Sequence, residues 1–383
     1  MSDKWKLECH ACGWTTDGDA LATVCQDCGQ PLLVRHEDLR SPRESLAQSK
    51  RWDMWRYARQ LPLHDGEAPV SLGEGGTPLI NAPQLAAAIG VTSVWVKDEG
   101  LNPTGSFKAR GMSAAVTRAK AHNVPGLVVP TAGNAGAALA AYAAAAGMKA
   151  RVYAPETTPR GILATIRALG AELCTLPGHI GDSGKAARAF AAEHGWFDVS
   201  TLREPYRIEG KKTLGYEIAE QLGFELPDVI VYPTGGGTGL IGMWKAFAEM
   251  QEMYWTQATT LPRMITAQSS GCAPIVRAFA AGKDRAEPWQ DPKTIAAGLR
   301  VPGPLGDRLI LRALRESNGD AGAVDDLTIS LATAELSHAT GIDASPEGGC
   351  ALAVCKMLVK EGRIANSARV VIFNTGSGAG YRD

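Results

Sequence analysis

Short apolar runs alternate with longer segments of helical composition along most of the chain. Such runs are typical of buried strands, and their alternation with helices predicts parallel sheets in an α/β fold. In these sheets, ligands bind beyond the carboxyl ends of the strands, so the turns that follow the strands are where we expect chemistry. The predicted strands are 93–97, 127–129, 150–154, 229–233 and 368–373.

One lysine occupies a reactive position in this pattern. Lys108 follows the predicted strand 93–97 and the small residues Gly105 and Ser106, and it precedes an alanine-rich helical segment. The positive end of a helix dipole and partial burial both oppose protonation of an amine at such a place. A neutral amine can form a Schiff base with a carbonyl compound, although most lysines near helix starts are solvated charges.

Three turns have the composition of anion-binding sites, because backbone N–H groups at a helix start converge on a negative charge. The turn after strand 127–129 predicts a carboxylate site, and the amide of Asn134 in it can bind a phenolic oxygen. The glycine-rich loop after strand 229–233 predicts a phosphate site. Arg207 and Lys211 at a third helix start predict another anion site, or, for Lys211 and Lys212, a solvated basic surface. The remaining candidates in the first two turns are Thr131, Ala132, Gly133, Ala135, Gly235, Gly236, Gly237, Thr238 and Gly239.

The first 36 residues contain a separate cysteine pattern. Two CxxC pairs lie in a segment too short to form its own core, and each pair is followed by a glycine that allows a tight turn. Four thiolates suit tetrahedral zinc in a closed, structural site. A site without its metal and a redox pair are the alternatives. The predicted ligands are Cys9, Cys12, Cys25 and Cys28.

The segment Asn-Pro-Thr-Gly-Ser-Phe-Lys ending at Lys108 resembles the cofactor-lysine motif of the fold-type II pyridoxal-phosphate enzymes, and in particular of the threonine synthase family. The similarity continues from about residue 72 to the C-terminus. It implies that Lys108 carries pyridoxal 5′-phosphate, that Asn134 contacts O3′ of its ring and that loop 235–239 holds its phosphate. It also implies that Thr375 or Ser377 faces the pyridine nitrogen, where a hydroxyl favours elimination and replacement over transamination.

The resemblance also implies an architecture. We expect two doubly wound αβα domains and a small zinc-ribbon-like segment at the N-terminus, within a homodimer. The expected boundaries are 1–36 for the zinc-ribbon-like segment, 37–105 with 208–383 for a large cofactor-binding domain, and 106–207 for a small mobile α/β domain.

The activity implied by the resemblance is conversion of O-phosphohomoserine and water to threonine and phosphate, with Arg207 helping to hold the substrate phosphate. Two positions depart from the family pattern: Ala109 stands where an acidic residue is common, and Ala135 where threonine is common. The alternatives are therefore a threonine or serine dehydratase, a diaminopropionate ammonia-lyase or a cysteate synthase-like enzyme. A binding protein without catalytic activity on the same scaffold is a further alternative.

Composition adds only exclusions. The 383 residues carry a formal net charge of -1, which gives no reason to expect nucleic acid or an anionic membrane as a partner. The N-terminus lacks the apolar run of a signal peptide, and no stretch is apolar over the ~20 residues that a membrane span needs. These features predict a cytoplasmic protein, and the family resemblance implies an enzyme that acts on a small amino-acid substrate.

Overall fold

A computed structural model describes residues 4–382, so the outermost ends of the predicted domains, residues 1–3 and 383, lie outside the described residues. The chain divides into two compact units. The first unit contains the residues up to 76 and residues 102–213, and the second contains residues 77–101 and 214–382. Within the described residues, none of the helices combines the length and apolarity needed to cross a bilayer.

The first unit contains two sheets. The N-terminal sheet is antiparallel with the strand order β2-β1-β3, and the second sheet is parallel with the order β8-β7-β6-β9. The strands and helices of this unit are β1 (Trp5–Cys9), β2 (Thr15–Asp17), β3 (Leu32–His36), α2 (Lys108–Ala121), β6 (Leu127–Pro130), α3 (Asn134–Ala146), β7 (Ala150–Pro155), α4 (Arg160–Ala168), β8 (Glu172–Leu176), α5 (Ile180–His194), β9 (Phe197–Asp198) and the first half of α6 (Tyr206–Gln221), with 3-10 turns at Arg43–Gln48 and Met54–Gln60.

The second unit is built on one six-stranded sheet with the order β12-β11-β10-β13-β5-β4, in which only the edge strand β4 runs antiparallel. Its elements are β4 (Leu79–Asn81), α1 (Pro83–Ile89), β5 (Ser93–Asp98), the second half of α6, β10 (Val229–Pro233), α7 (Thr238–Glu252), β11 (Arg263–Ser269), α8 (Pro274–Ala280), α9 (Asp307–Glu316), β12 (Asp320–Val324), α10 (Asp326–Thr340), α11 (Pro346–Lys360) and β13 (Arg369–Asn374), with 3-10 turns at Glu99–Leu101, Ala297–Leu299 and Gly378–Tyr381.

The predicted strands are confirmed, and their burial explains why they were recognisable. All five residues of β10 are buried, as expected for a central strand covered on both faces. The core of the second unit joins β10 and β13 to α11 through apolar side chains such as Val231, Ile372 and Leu352. The core of the first unit joins α2 and α3 to its parallel sheet through Met112, Leu139 and other side chains. The α/β class and the doubly wound arrangement therefore follow from alternation of buried strands and helices.

Helices α2 and α6 cross in the first unit so closely that a side chain at the crossing point would overlap the opposite helix. A Cβ added at Gly210 would lie 2.0 Å from the carbonyl oxygen of Arg110. A Cβ added at Gly111 would lie 3.0 Å from the carbonyl oxygen of Arg207 and from Cε of Lys211. Glycine is needed at position 210 because the nearest atom there belongs to the backbone of Arg110, which cannot move independently.

We predict that Gly210→Ala lowers the free energy of unfolding by about 1–3 kcal/mol, because the added methyl group overlaps the Arg110 carbonyl and must push α2 and α6 apart. Gly181→Ala on α5 is the matched control, since a Cβ there meets nothing within 4 Å. The control should leave the urea unfolding midpoint unchanged or raise it slightly. Equal midpoints for the two variants would contradict the close crossing.

Candidate active site

Lys108 is the first residue of α2, as the sequence predicted. The turn before it closes with a hydrogen bond from Gly105 N to Asn102 O at 2.8 Å, and Gly105 has a φ of +67°, which favours glycine. Ser106 Oγ then accepts a hydrogen bond from Lys108 N at 3.4 Å. The lysine side chain is half-buried, with Nζ 4.2 Å from the centroid of the Phe107 ring.

The crossing of α2 and α6 brings a second lysine to the same ring. Lys211 Nζ lies 5.0 Å from the centroid of the Phe107 ring, and the Lys211 side chain is fully buried. Burial lowers the pKa of Lys211 well below its usual value, and the positive charges of Arg207 and Lys108 lower it further. A solvated surface position for Lys211 is therefore wrong.

Lys212, the next residue, has a different role. Its Nζ donates hydrogen bonds to Gln60 O at 2.6 Å and to Glu209 Oε2 at 2.7 Å, all within the first unit. Both Lys212 and Glu209 are fully buried. Because its charge is already matched by a carboxylate, we assign Lys212 to the stability of the fold and leave Arg207 and Lys211 as the anion-binding candidates.

Arg207 lies in the first turn of α6 with its guanidinium under a short loop. Nη1 donates to Val199 O at 2.7 Å and to Thr201 Oγ1 at 3.4 Å. The side chain is fully buried, and this desolvation lowers the pKa of Arg207, against the opposing effect of Glu204 and Asp198. Arg207 therefore supplies a positive charge in a place of low dielectric, where it attracts an anion strongly.

Glu204 is a residue of this site that the sequence analysis missed. Its carboxylate accepts hydrogen bonds from the backbone N–H groups of Tyr206 at 2.7 Å and Arg207 at 3.0 Å. Burial raises the pKa of Glu204 to about 7, although Arg207 and both N–H groups favour the charged form. The signal that could have revealed it is an acidic residue followed by proline immediately before a helix, a pattern typical of helix N-termini.

The turn 131–136 connects β6 to α3, at the carboxyl end of a parallel strand as expected. Thr131 Oγ1 accepts hydrogen bonds from Gly133 N at 3.0 Å and Gly136 N at 3.2 Å, and donates to Gly133 O at 2.7 Å. Its hydroxyl thus holds the turn together. Asn134 is the first residue of α3 and is half-buried, whereas Ala135 is buried.

In the second unit, the glycine-rich loop joins β10 to α7. A Cβ added at Gly235 would lie 2.2 Å from Gly298 O, and one at Gly239 would lie 2.0 Å from Tyr232 Oη. Gly237 has a φ of +76°. The glycines therefore pack their backbone closely against neighbouring residues, directly before the N-terminus of a 15-residue helix, where backbone N–H groups can bind phosphate.

Strand β13 lies beside β10 and runs parallel to it, so Thr375 and the glycine-rich loop follow the same edge of the sheet. Thr375 is buried. Ser377 Oγ donates to Asp343 Oδ2 at 2.8 Å and accepts from Ala379 N at 3.1 Å, which engages it in a turn. Of the two hydroxyls considered, Thr375 is the one at the strand end.

The four cysteines of the N-terminal segment come together around one point. Their Sγ atoms all lie within 4.8 Å of one another, with 3.5 Å between Cys9 and Cys28 and between Cys12 and Cys25. Tetrahedral zinc with Zn–S bonds of about 2.3 Å separates its sulfur ligands by about 4 Å. Gly13 and Gly29 follow the two pairs with φ of +77° and +68°, which provides the tight turns.

Comparison with known proteins identifies the family. A family model for pyridoxal-phosphate dependent enzymes matches residues 70–376. The chain is 34% identical over 375 residues to a threonine synthase of Methanosarcina acetivorans, with 97% of this chain and 91% of that protein covered. It is 35% identical over 374 residues to a threonine synthase of Methanocaldococcus jannaschii, with the same coverage of 97% and 91%.

The chain belongs to the threonine synthase family of pyridoxal-phosphate dependent enzymes.

Two solved structures share the fold. A maize serine racemase superposes with a TM-score of 0.69 at 24% sequence identity, covering 79% of this chain and 88% of that one. The processed form of threonine deaminase isoform 2 from Solanum lycopersicum superposes with a TM-score of 0.66 at 21% identity, covering 79% and 83%. Both likenesses agree with a fold-type II architecture for the two units.

The residues present in each unit fit pyridoxal phosphate. The first unit offers the half-buried amine of Lys108 and the amide of Asn134 at the start of α3. The second unit offers a phosphate cradle in which added side chains would overlap Gly298 and Tyr232, and a buried hydroxyl on Thr375. Each of these groups by itself suits one part of a phosphorylated pyridine aldehyde: an amine its aldehyde, an amide its phenolic oxygen, a glycine-rich loop its phosphate and a hydroxyl its ring nitrogen.

Proposed function

We propose that this chain is a threonine synthase, which converts O-phosphohomoserine and water to threonine and phosphate. The proposal rests on Arg207 and Lys211, two buried cations on α6. Helix α6 crosses the first turn of α2, which begins at the candidate cofactor lysine, Lys108. A phosphorylated amino acid needs such a cation pair next to the reacting carbons. The family membership supports the same reaction.

Lys108 is the residue to which we assign covalent attachment of the cofactor. When bound, pyridoxal phosphate supplies an electron sink for bonds at the α-carbon of the amino acid. As the first residue of α2, Lys108 places its amine at the start of a helix. We assign to this amine the proton transfers at Cα and Cβ of the substrate.

The other site residues bind and orient. We assign the cofactor phosphate to the loop Gly235, Gly236, Gly237, Thr238 and Gly239, because its N–H groups precede α7. We assign O3′ to Asn134 and the ring nitrogen to Thr375, with Ser377 second because its hydroxyl already donates to Asp343.

For the substrate, we assign the carboxylate to the turn formed by Thr131, Ala132, Gly133 and Ala135, in which the Thr131 hydroxyl fixes the backbone. We assign the substrate phosphate to Arg207 and Lys211. The buried positions of both cations exclude water from their charges, so each attracts a phosphate more strongly than a surface residue would.

A second reaction deserves a test because Ala109 and Ala135 are both buried and both lack polar groups. An acidic residue and a hydroxyl are common at these positions in the family, and their loss reduces the polar contacts available to a phosphorylated substrate. The second candidate is a related elimination or replacement on threonine, serine, diaminopropionate or phosphoserine.

Three further assignments complete the proposal. We propose that Cys9, Cys12, Cys25 and Cys28 hold one structural zinc ion, because their sulfur atoms cluster as tetrahedral ligands do. We propose a homodimer in the cytoplasm, as the family resemblance implies. We retain the predicted domains, with residues 106–207 as a mobile part.

Lys108→Ala should abolish the visible absorbance of the lysine-linked cofactor, because the variant lacks the amine to which we assign the covalent attachment. Lys120→Ala is the matched control, since Lys120 is an exposed lysine on the same helix. The measurement is the absorption spectrum after loading with pyridoxal phosphate and removal of the excess. Retention of the same band by Lys108→Ala would refute the assignment.

The cofactor-loaded protein should release phosphate from O-phosphohomoserine and form threonine in equal amounts, because Arg207 and Lys211 can hold the substrate phosphate. The assay measures phosphate by colour and the amino acid by mass spectrometry, with Lys108→Ala as the inactive control. Turnover of serine, threonine or diaminopropionate, which releases no phosphate, would instead establish the second candidate if O-phosphohomoserine does not react.

The protein purified from zinc-supplemented cells should contain about one zinc ion per chain, since four thiolates fill a tetrahedral site. Cys12→Ser should lose the metal and lower the unfolding midpoint, because such ions contribute folding energy. Cys174→Ser, which changes a cysteine outside the cluster, should retain both. Metal content by mass spectrometry decides the point, and retention of zinc by Cys12→Ser contradicts the site.

A further inference from the structure

Glu204 places a carboxylate of the chain itself at the N-terminus of α6. The side chain is buried, and it accepts hydrogen bonds from Tyr206 N at 2.7 Å and from Arg207 N at 3.0 Å. The first N–H groups of a helix lack partners within the helix, and this is why helix N-termini bind anions. The position that a phosphate would take at the start of α6 is thus occupied by an internal anion.

Arg207 provides an independent sign of a missing ligand. Among the described residues, its Nε and Nη2 atoms have no hydrogen-bond partner, although the side chain is fully buried. A buried charged donor without a partner is costly, because it has lost its water and gained nothing in exchange. The guanidinium also reaches Thr201, an exposed residue, so it lies directly below the surface. Two unused donors on a buried guanidinium match two oxygens of a phosphate or sulfate.

The charges around Glu204 come from three elements of the first unit. Arg207 and Lys211 on α6 act on Glu204 directly, Lys108 on α2 acts on Lys211, and Asp198 in β9 acts on Arg207. Burial raises the pKa of Glu204 to about 7. Burial also lowers the pKa of Lys211 well below its usual value. Glu204 can therefore change protonation near neutral pH when an anion binds.

We propose that Glu204 is the internal counter-ion of the substrate phosphate site, balancing Arg207 in the absence of an anion and taking up a proton from solvent when a phosphate group binds. This inference rests on the proposed function, which assigns the substrate phosphate to Arg207 and Lys211. A protonated Glu204 no longer repels the phosphate and can donate a hydrogen bond to it. Glu204 thereby determines specificity, because a neutral leaving group cannot drive this proton uptake.

The affinity of the site for an anion depends on pH through this proton. A proton taken up on binding makes anion affinity highest at low pH, where Glu204 is already neutral, and lowest above pH about 7, where its charge must be removed. Any proton gained by Lys211 acts in the same direction. Each linked proton weakens binding by up to about tenfold per pH unit above that value.

The test is a calorimetric titration of the cofactor-loaded protein with inorganic sulfate between about pH 6 and pH 9. The charge of sulfate is constant over this range, so any change of its affinity with pH comes from the protein. For the wild type we expect affinity to fall as pH rises. Glu204→Gln keeps an oxygen that can accept the two N–H groups, but it cannot titrate. At pH 8 this variant should bind sulfate about tenfold more tightly than the wild type. The number of protons linked to sulfate binding should be lower by about one.

Glu217→Gln is the matched control, because Glu217 is a buried carboxylate on the same helix that pairs with Lys97 at 2.9 Å in the second unit. It should keep the wild-type slope. Sulfate binding by Glu204→Gln alone, with none by the wild type, also supports the proposal. An unchanged slope in Glu204→Gln, or no sulfate binding by either protein, overturns it.

A second measurement needs no folded variant. Titration of the wild type in two buffers with different heats of ionisation counts the protons taken up with sulfate, and we expect about one proton at pH 8. No uptake overturns the role of Glu204 even if threonine is formed from O-phosphohomoserine. Proton-linked sulfate binding without threonine formation supports the role of Glu204 and instead removes O-phosphohomoserine as the substrate, so the two failures are distinct.

Discussion

The close crossing of α2 and α6 is the constraint on which the site of the first unit depends. Gly210 packs so near the Arg110 carbonyl that a Cβ would stand 2.0 Å from the oxygen, and Gly111 leaves space for the Lys211 side chain. With the helices this close, the Nζ atoms of Lys108 and Lys211 approach one aromatic ring, at 4.2 Å and 5.0 Å from its centroid. Bulkier residues at the crossing would move the two amines apart and disrupt the chemistry that each supports.

This arrangement concentrates positive charge where there is little water, and the rest of the site reflects the need to manage that charge. Burial lowers the pKa of Lys211, Lys212 pairs with Glu209, and the carboxylate of Glu204 accepts a hydrogen bond from the backbone N–H of Arg207 and opposes the fall in the pKa of its side chain. Desolvated cations are costly without counter-charges, yet the same low dielectric makes them strong anion binders. An internal carboxylate that can be neutralised satisfies both demands.

The second unit solves a different problem with backbone alone. Parallel strands β10 and β13 deliver the glycine-rich loop and Thr375 to one edge of the sheet, where helix α7 begins. A phosphate site of the kind proposed there needs N–H groups and no side chains, and the contacts of Gly235 and Gly239 leave no space for any. Cation chemistry and backbone chemistry are thus divided between the two units of the chain.

The sequence by itself determined the strands, the position of Lys108 at a helix start, the glycine-rich loop and the paired CxxC turns, because hydrophobic periodicity and turn residues are local properties. Only the tertiary structure decided that Lys211 is buried, that Glu204 caps α6 and that Ser377 is engaged by Asp343. Lys211 packs against Gly111, far away in the chain, and the partner of Ser377 is 34 residues distant. Such long-range packing sets charge and hydrogen bonding, and no local pattern contains it.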